Sequence, residues 1–497
     1  MKTEYLLIFF KKYRSEIAAI LLTFVISYSI FLLSSIRFPN DDQFILYKYI
    51  DNIVSGRGFV YNFGERMLGF TSPLFTLLCV FVKYFSPNVY TPDIVAYINI
   101  ILLSFSAAFF YRVCRKFFSP KLSLFAVLIF AFNLSKTIPE GMETPLFILT
   151  FLVFFDSLSR QRYYISAIFL SLTLLARPDA GLIAVLAAIF WWQKTGFHKT
   201  VRLIMVCIAV ALPWLIFSTI YFGSFIPQSL ITKLHINDIV NQSQFQAIKV
   251  QSASLSRIYW GKILNPDSIP LQVAVNLLPF LFLVYLGVKK KMNSDNWILF
   301  AIPVLYFISF SISNPVMFPW YVSQMEPLWI LISFAGLAFL FGKIKNAGLK
   351  ALVILLIVAG PFYWWLGRVT TNSQGTKMPF FEIGNYIKEH MNPQDTVGVN
   401  SFGIIGYVSN AYIIDFVGII NYYASSFYPI KDDCTDKNEL YIIPPDLIKY
   451  TKPNWLVVSE KNELISCFQE SRWFKEHYFR VNIEDIGVSS VWKLKKQ

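Results

Sequence analysis

Two adjacent carboxylates, Asp41 and Asp42, stand just past the end of the first long apolar run, in the stretch Arg37 to Pro73, RFPNDDQFILYKYIDNIVSGRGFVYNFGERMLGFTSP. Ionised side chains beside lipid are costly and ordinarily face water or a cavity where they act. Like charges this close raise one another's pKa, so one of the pair can serve as a base near neutral pH. The structural alternative is an N-cap, because PNDD ahead of a helix over Gln43–Ile53 is a good capping sequence. Both uses can coexist, Asp42 capping while Asp41 reaches solvent. Four cations are candidate phosphate ligands: Lys233, Arg66, Arg177 and Arg257. Arginine offers a planar fork and lysine a point charge; each could instead snorkel to lipid headgroups. Glu143 is either a second acid of the site or the cap of a helix starting at Thr144. Trp320, Tyr321, Tyr61 and Trp260 could stack on a sugar ring, although aromatics also belt membrane interfaces.

The elements that must position these groups are membrane helices. The 497 residues are 55% hydrophobic and 18% aromatic, with a mean hydropathy of +0.51, the composition of a polytopic membrane protein. The net charge is +14, yet from Arg368 onward 14 basic residues face 15 acidic ones, which leaves +15 in the preceding part. A basic excess confined to membrane loops is the positive-inside pattern, with added attraction to anionic lipid phosphate. No basic stripe interleaved with aromatics favours nucleic acid.

Lys11, Lys12 and Arg14 precede an apolar run over 17–36, read as an uncleaved first span starting in the cytoplasm. Placing six basic clusters on the cytoplasmic side, between residues 2 and 350, predicts eleven spans: 15–36, 93–112, 121–138, 144–159, 163–176, 178–193, 201–222, 271–288, 296–313, 320–341 and 350–367. Thr71–Phe85 is apolar but short, and reads as a juxtamembrane or re-entrant helix. The short pair 163–176 and 178–193 meets at Arg177-Pro178-Asp179, where proline ends or bends the helix. This topology gathers the 37–70 loop, Glu143, Arg177 and the 223–270 loop on the outer face. The expected fold class is a polytopic α-helical membrane domain over 1–367 with a small extracytoplasmic α/β domain over 368–497. In the latter, Pro379–His390 reads as an amphipathic helix, and 396–400, 412–415, 455–459 and 489–493 as short strands. No GxGxxG follows a strand, so nucleotide binding is unsupported.

The cysteines are Cys79, Cys114, Cys207, Cys434 and Cys467. The first three sit in or beside apolar runs and read as buried hydrophobes; Cys434 and Cys467 could pair if their domain is extracytoplasmic. The four histidines are scattered, without HExxH or paired-His spacing, which disfavours a zinc enzyme. Two adjacent aspartates could bind a divalent ion, but its other oxygen ligands are not identifiable, and no cofactor is required.

The ordered set DDQFILYKYIDNIVSGRGFVYNFGERMLGFTSPL, GMETPLF, ARPDAGL, IPQSLITKLH and GIIGYVSNAYIIDFVGI resembles the membrane-embedded GT-C glycosyltransferases. More closely, it looks like the group that includes the terminal β-(1→2)-arabinofuranosyltransferases. The resemblance implies a GT-C fold of about eleven transmembrane helices in the bacterial inner membrane. It also implies transfer, with inversion, of a sugar, arabinofuranose in that group, from a polyprenyl-phosphate donor to a glycan, lipid or protein acceptor on the outer face. Asp41 would deprotonate the acceptor hydroxyl and Asp42 would help position the acceptor or a metal. Lys233, in its PxSxxxK-like stretch, would meet the donor phosphate, with Arg66 and Arg177 as further ligands. The chain departs from the group's pattern after RPD, where Ala180 precedes Gly181. Other readings are a flippase or transporter for lipid-linked glycans and an oligosaccharide ligase. A transporter would set its charges near the bilayer midplane on repeated, broken helices; here the acids lie outside the span ends and no repeat is visible.

Overall fold

A computed structural model describes residues 2–33, 40–232, 246–256, 281–289 except 283, 296–313, 320–352, the positions 355, 359, 362, 363 and 366, then 379–428, 430, 443–459, 466–483 and 489–495. The chain forms two compact units, one of residues 1–38, 95–213 and 244–373, the other of residues 39–94, 214–243 and 374–497.

The first unit is helical. It contains α1 (Lys2–Leu33), the length of Thr91–Cys114 (α4) from residue 95 on, α5 (Pro120–Leu134), the one-turn α6 (Thr137–Glu140), α7 (Thr144–Ser159), α8 (Tyr163–Ala176) and α9 (Gly181–Thr195). Most of α10 (Phe197–Phe222), α11 (Gln246–Ser256), α12 (Trp297–Ser313), α13 (Trp320–Ser323) and α14 (Glu326–Lys343) complete it. The longer of these helices are apolar along most of their length, as membrane spans are. Phe110 of α4 stacks on Phe130 of α5 at 4.8 Å between ring centroids. On α10 the outward stripe Met205, Ile208, Leu212, Ile216 and Ile220 is exposed, a spacing of three and four residues that places them on one helix face.

Among the described residues, five helices are long and apolar enough to cross a membrane: Phe10–Leu33, Thr91–Cys114, Pro120–Glu140, Phe197–Phe222 and Glu326–Lys343. Of the eleven expected spans, several others form as shorter apolar helices or lie largely outside the described residues. The helices 144–159, 163–176 and 297–313 form where expected but have 16, 14 and 17 residues, short of the ~20 needed for a ~30 Å hydrocarbon core. The 320–341 interval breaks between α13 and α14. Most of 271–288 and of 350–367 lies outside the described residues. Thr71–Phe85 becomes α3 (Pro73–Phe85), a 13-residue helix of ~20 Å, with Leu77, Phe81, Tyr84 and Phe85 exposed.

The second unit joins α2 (Asp42–Val54) and α3 to a five-stranded mixed sheet of order β2-β1-β3-β5-β4. Its strands are β1 (Thr396–Val399), β2 (Tyr412–Asp415), β3 (Trp455–Ser459), β4 (Tyr478–Val481) and β5 (Ser489–Leu494). β1 pairs in parallel with β2 and β3, and β5 pairs antiparallel with β3 and β4. Parallel neighbours need a crossover; between β1 and β2 it is α16 (Gly403–Ser409), which stops at Asn410 in the left-handed conformation. The amphipathic helix α15 (Pro379–His390) buries Ile383 and Ile387. β4 is absent from the sequence reading because YFRV carries no clear alternation. Leu456, Val458 and Ile414 form a core with Leu447, Ile448 and Phe474. Cys79, Cys114 and Cys207 are free; Cys467 is disulfide-bonded, while Cys434 lies outside the described residues.

Because β3 is central and Leu456 is fully buried, Leu456→Ala is expected to destabilise this unit by ~2–5 kcal/mol, read as a lowered midpoint in denaturant unfolding of the detergent-solubilised protein.

Candidate active site

Asp41 occupies the cap position of α2, and its carbonyl oxygen receives the Phe44 N–H at 3.0 Å. Its side chain makes no bond to the amides of α2. It turns instead to the start of α16, where Oδ2 accepts from the Gly403 N–H at 2.9 Å and Oδ1 from the Ile404 N–H at 2.7 Å. The expected division of labour is corrected here: Asp42, exposed in the first turn of α2, is not the cap residue, and Asp41 secures a helix 362 residues away in sequence. Burial pushes the Asp41 carboxyl up to about 7; the Ile404 and Gly403 amides pull the other way, and the Asp42 charge adds to the rise. Two accepted N–H bonds leave lone pairs on both oxygens of a carboxylate, so Asp41 retains the capacity to take a proton.

The opposite end of α16 is held from the same helix α2. The Lys48 ammonium donates to the carbonyls of Gly406 at 2.7 Å and Ala411 at 3.1 Å, and lies 4.7 Å from the centre of the Tyr61 ring. Lys48 is buried; desolvation, with a smaller contribution from Arg57, pushes its pKa down to about 7. Tyr61 donates its hydroxyl to the Phe402 carbonyl at 3.0 Å. It is buried, so its expected role as a sugar-stacking ring is corrected: its faces are occupied by protein. Asn62 pairs its amide with the backbone of Ile413 at 2.8 and 2.9 Å, and Tyr412 donates to Glu65. The loop from Tyr61 to Glu65 thus runs along the β2 edge.

Asp415 at the end of β2 accepts from the amides of Val417, Ile419 and Ile420 at 2.8, 2.5 and 3.0 Å. Burial pushes its carboxyl up to about 6 against those bonds. The loop it folds receives the Thr232 hydroxyl on the Gly418 carbonyl at 2.7 Å. Lys233, the next residue, lies outside the described residues, as do Arg257 and Trp260. Arg66 is exposed, its guanidinium 4.7 Å from the Tyr221 ring centre.

In the first unit, three sequence candidates meet. The buried Arg177 pairs with Glu143 at 2.6 Å and with Asp179 at 3.1 Å, and its guanidinium lies 5.5 Å from the Tyr321 ring centre. Gln324 donates to Asp179 at 2.6 Å, and Tyr306 donates to the Asp179 carbonyl at 2.6 Å. Glu143 stands at the N-cap position of α7 but makes no side-chain cap bond there; its carboxylate pairs with Arg177 instead. Trp320 lies 6.2 Å from Tyr321 between ring centroids. A second pair, Lys136 with Glu326, escaped the sequence reading because its partners are 190 residues apart and neither adjoins a motif. Lys48, Gly403, Ile404 and Asp415 were in quoted motifs without an assigned role; only the fold shows what they touch. Among the described residues no group of three or more His, Cys, Asp or Glu could hold a metal ion.

A family model described as a domain of unknown function (DUF8728) matches residues 368–492. No curated protein matches the chain by sequence. Among solved structures, ArnT from Cupriavidus metallidurans bound to undecaprenyl phosphate is similar at a TM-score of 0.62 and 10% identity, covering 99% of this chain and 98% of that one. The archaeal oligosaccharyltransferase AglB from Archaeoglobus fulgidus, in complex with an inhibitory peptide and a dolichol-phosphate, is similar at 0.59 and 12%, covering 91% and 70%. At these identities the likeness concerns the fold: the chain is a multi-pass α-helical membrane protein of the GT-C fold with a small C-terminal sheet.

Replacing Arg177 by Met strands the buried Glu143 and the half-buried Asp179, and is expected to cost ~3–5 kcal/mol. Arg177→Lys should recover only part of this, since an ammonium cannot reproduce the fork. Thermal unfolding followed by size-exclusion chromatography checks both.

Proposed function

We propose that this chain is an inverting glycosyltransferase that moves a single sugar from a polyprenyl-phosphate donor to a hydroxyl of a glycan, lipid or protein acceptor on the outer face of the plasma membrane. The observation that carries this reading is the likeness of fold along nearly the whole chain to ArnT, a protein solved with undecaprenyl phosphate bound. The disulfide at Cys467 supports an extracytoplasmic C-terminal sheet, because disulfides persist in oxidising compartments.

In the proposed step, Asp41 takes the proton of the acceptor hydroxyl as its oxygen attacks the anomeric carbon. The bond from that carbon to the phosphate oxygen breaks, and polyprenyl phosphate departs with the electron pair. A phosphate leaving group needs cations more than a general acid. Lys233 and Arg66 are assigned to it ahead of Arg177, whose charge two carboxylates already balance. Asp42, beside the base and exposed, is assigned to orienting the acceptor. The sequence resemblance makes arabinofuranose the first sugar to try. The likeness to AglB favours one second reading, transfer of a whole oligosaccharide.

The test is a nanodisc transfer assay with a panel of polyprenyl-phosphate sugars beside a diphosphate-linked oligosaccharide. Turnover of a monophosphate donor is expected. Turnover of the oligosaccharide alone would establish the second reading, and turnover of neither would remove both. In the active assay, Asp41→Asn should lower kcat by ~10²–10⁴. Since the deprotonated carboxylate is the working form, kcat should rise with pH through an inflection near 7, the value at Asp41. Asp42→Asn should move that inflection down by removing the neighbouring charge.

A further inference from the structure

We propose that the segment Phe402–Ala411 is the positioning element of the Asp41 base, with Lys48 as the positioning residue that holds this segment in place; this rests on the transferase reading above. α2 grips α16 at both ends. At the amino end Asp41 accepts two amides, one on each oxygen, which fixes the plane of the carboxylate and the direction of its remaining lone pairs. At the carboxyl end the Lys48 ammonium spans the carbonyls of Gly406 and Ala411. Opposite charges at opposite ends each sit where the free backbone groups of a helix want them. Tyr61 closes the arrangement, bonded to Phe402 and lying under Lys48.

The approach is close enough to dictate residue type. A Cβ on Gly403 would stand 2.0 Å from the Asp41 carbonyl oxygen, and one on Gly406 would stand 2.2 Å from the Tyr61 hydroxyl oxygen. Both glycines turn the same side of α16 toward the 41–61 stretch, so any side chain there would push α16 off the carboxylate. Lys48 is buried and spends its donors on backbone carbonyls, a costly use of a charge that is accounted for if the geometry of α16 matters to the base. The charged and titratable groups bearing on this region are Asp42 beside Asp41, Tyr61 across from it, and Arg57 toward Lys48.

The experiment compares wild type, Lys48→Met, Gly403→Ala, Lys48→Arg and Asp41→Asn in nanodiscs. It uses two readouts: transfer kinetics against pH, and infrared titration of the Asp41 carboxyl as the difference from Asp41→Asn. Lys48→Met is the informative variant if Gly403→Ala does not fold. Loosening α16 withdraws the two amides that favour the charged carboxylate, so the carboxyl titration should move upward by about one pH unit. In the same variant kcat should fall roughly 10-fold to 100-fold, with KM for the donor within about twofold. Lys48→Arg should restore part of both. A folded Lys48→Met with unshifted titration and unchanged kcat overturns the positioning role while leaving the base assignment intact. An Asp41→Asn enzyme with undiminished turnover removes the base assignment, and the proposal with it.

Discussion

Two backbone amides on one carboxylate organise the second unit. Asp41 begins α2, yet its oxygens are bound by Gly403 and Ile404, so residues far apart in the chain share one local geometry. Everything else nearby follows from that closure. Gly403 and Gly406 must lack side chains, Lys48 must reach the far end of α16, and Asn62 must pair with Ile413 along the β2 edge. The cost of burying these polar groups is offset by giving each a partner. The same burial raises the Asp41 carboxyl into the neutral range, so the constraint that builds the unit also sets the titration of its central acid.

The first unit satisfies its buried charge by different means. Arg177 lies between Glu143 and Asp179, and Gln324 and Tyr306 complete the hydrogen bonding of Asp179. This fixes the break between α8 and α9, where Pro178 interrupts the helix and Ala180 is fully buried. A charge cluster so well compensated is costly to break and contributes little when whole. Its value lies in the shape of the turn that joins α8 and α9.

The helical class, the short pair meeting at Arg177-Pro178-Asp179 and four of the five strands were legible from hydropathy, proline and β-branched runs, because those signals are local. The helix Pro379–His390 was placed to the residue, since its apolar spacing lies on one face. Helix lengths were less legible: charge asymmetry assigns sides but not lengths, and Tyr163–Ala176 has 14 residues. Asp41 stood out in the sequence by its position after the first span. Its binding of Gly403 did not, because GIIG reads as an ordinary apolar segment until the fold brings it to residue 41. The contacts of Lys48 were hidden for the same reason, since Gly406 and Ala411 lie more than 350 residues away.

The most direct measurement is a single-particle structure of the wild-type protein with a non-hydrolysable polyprenyl-phosphate sugar and an acceptor bound. The account predicts the acceptor hydroxyl within ~2.6–3.2 Å of an Asp41 oxygen, with the Gly403 and Ile404 amides still on that carboxylate. An acceptor hydroxyl seated on a different carboxylate, with Asp41 turned wholly into α16, would contradict it.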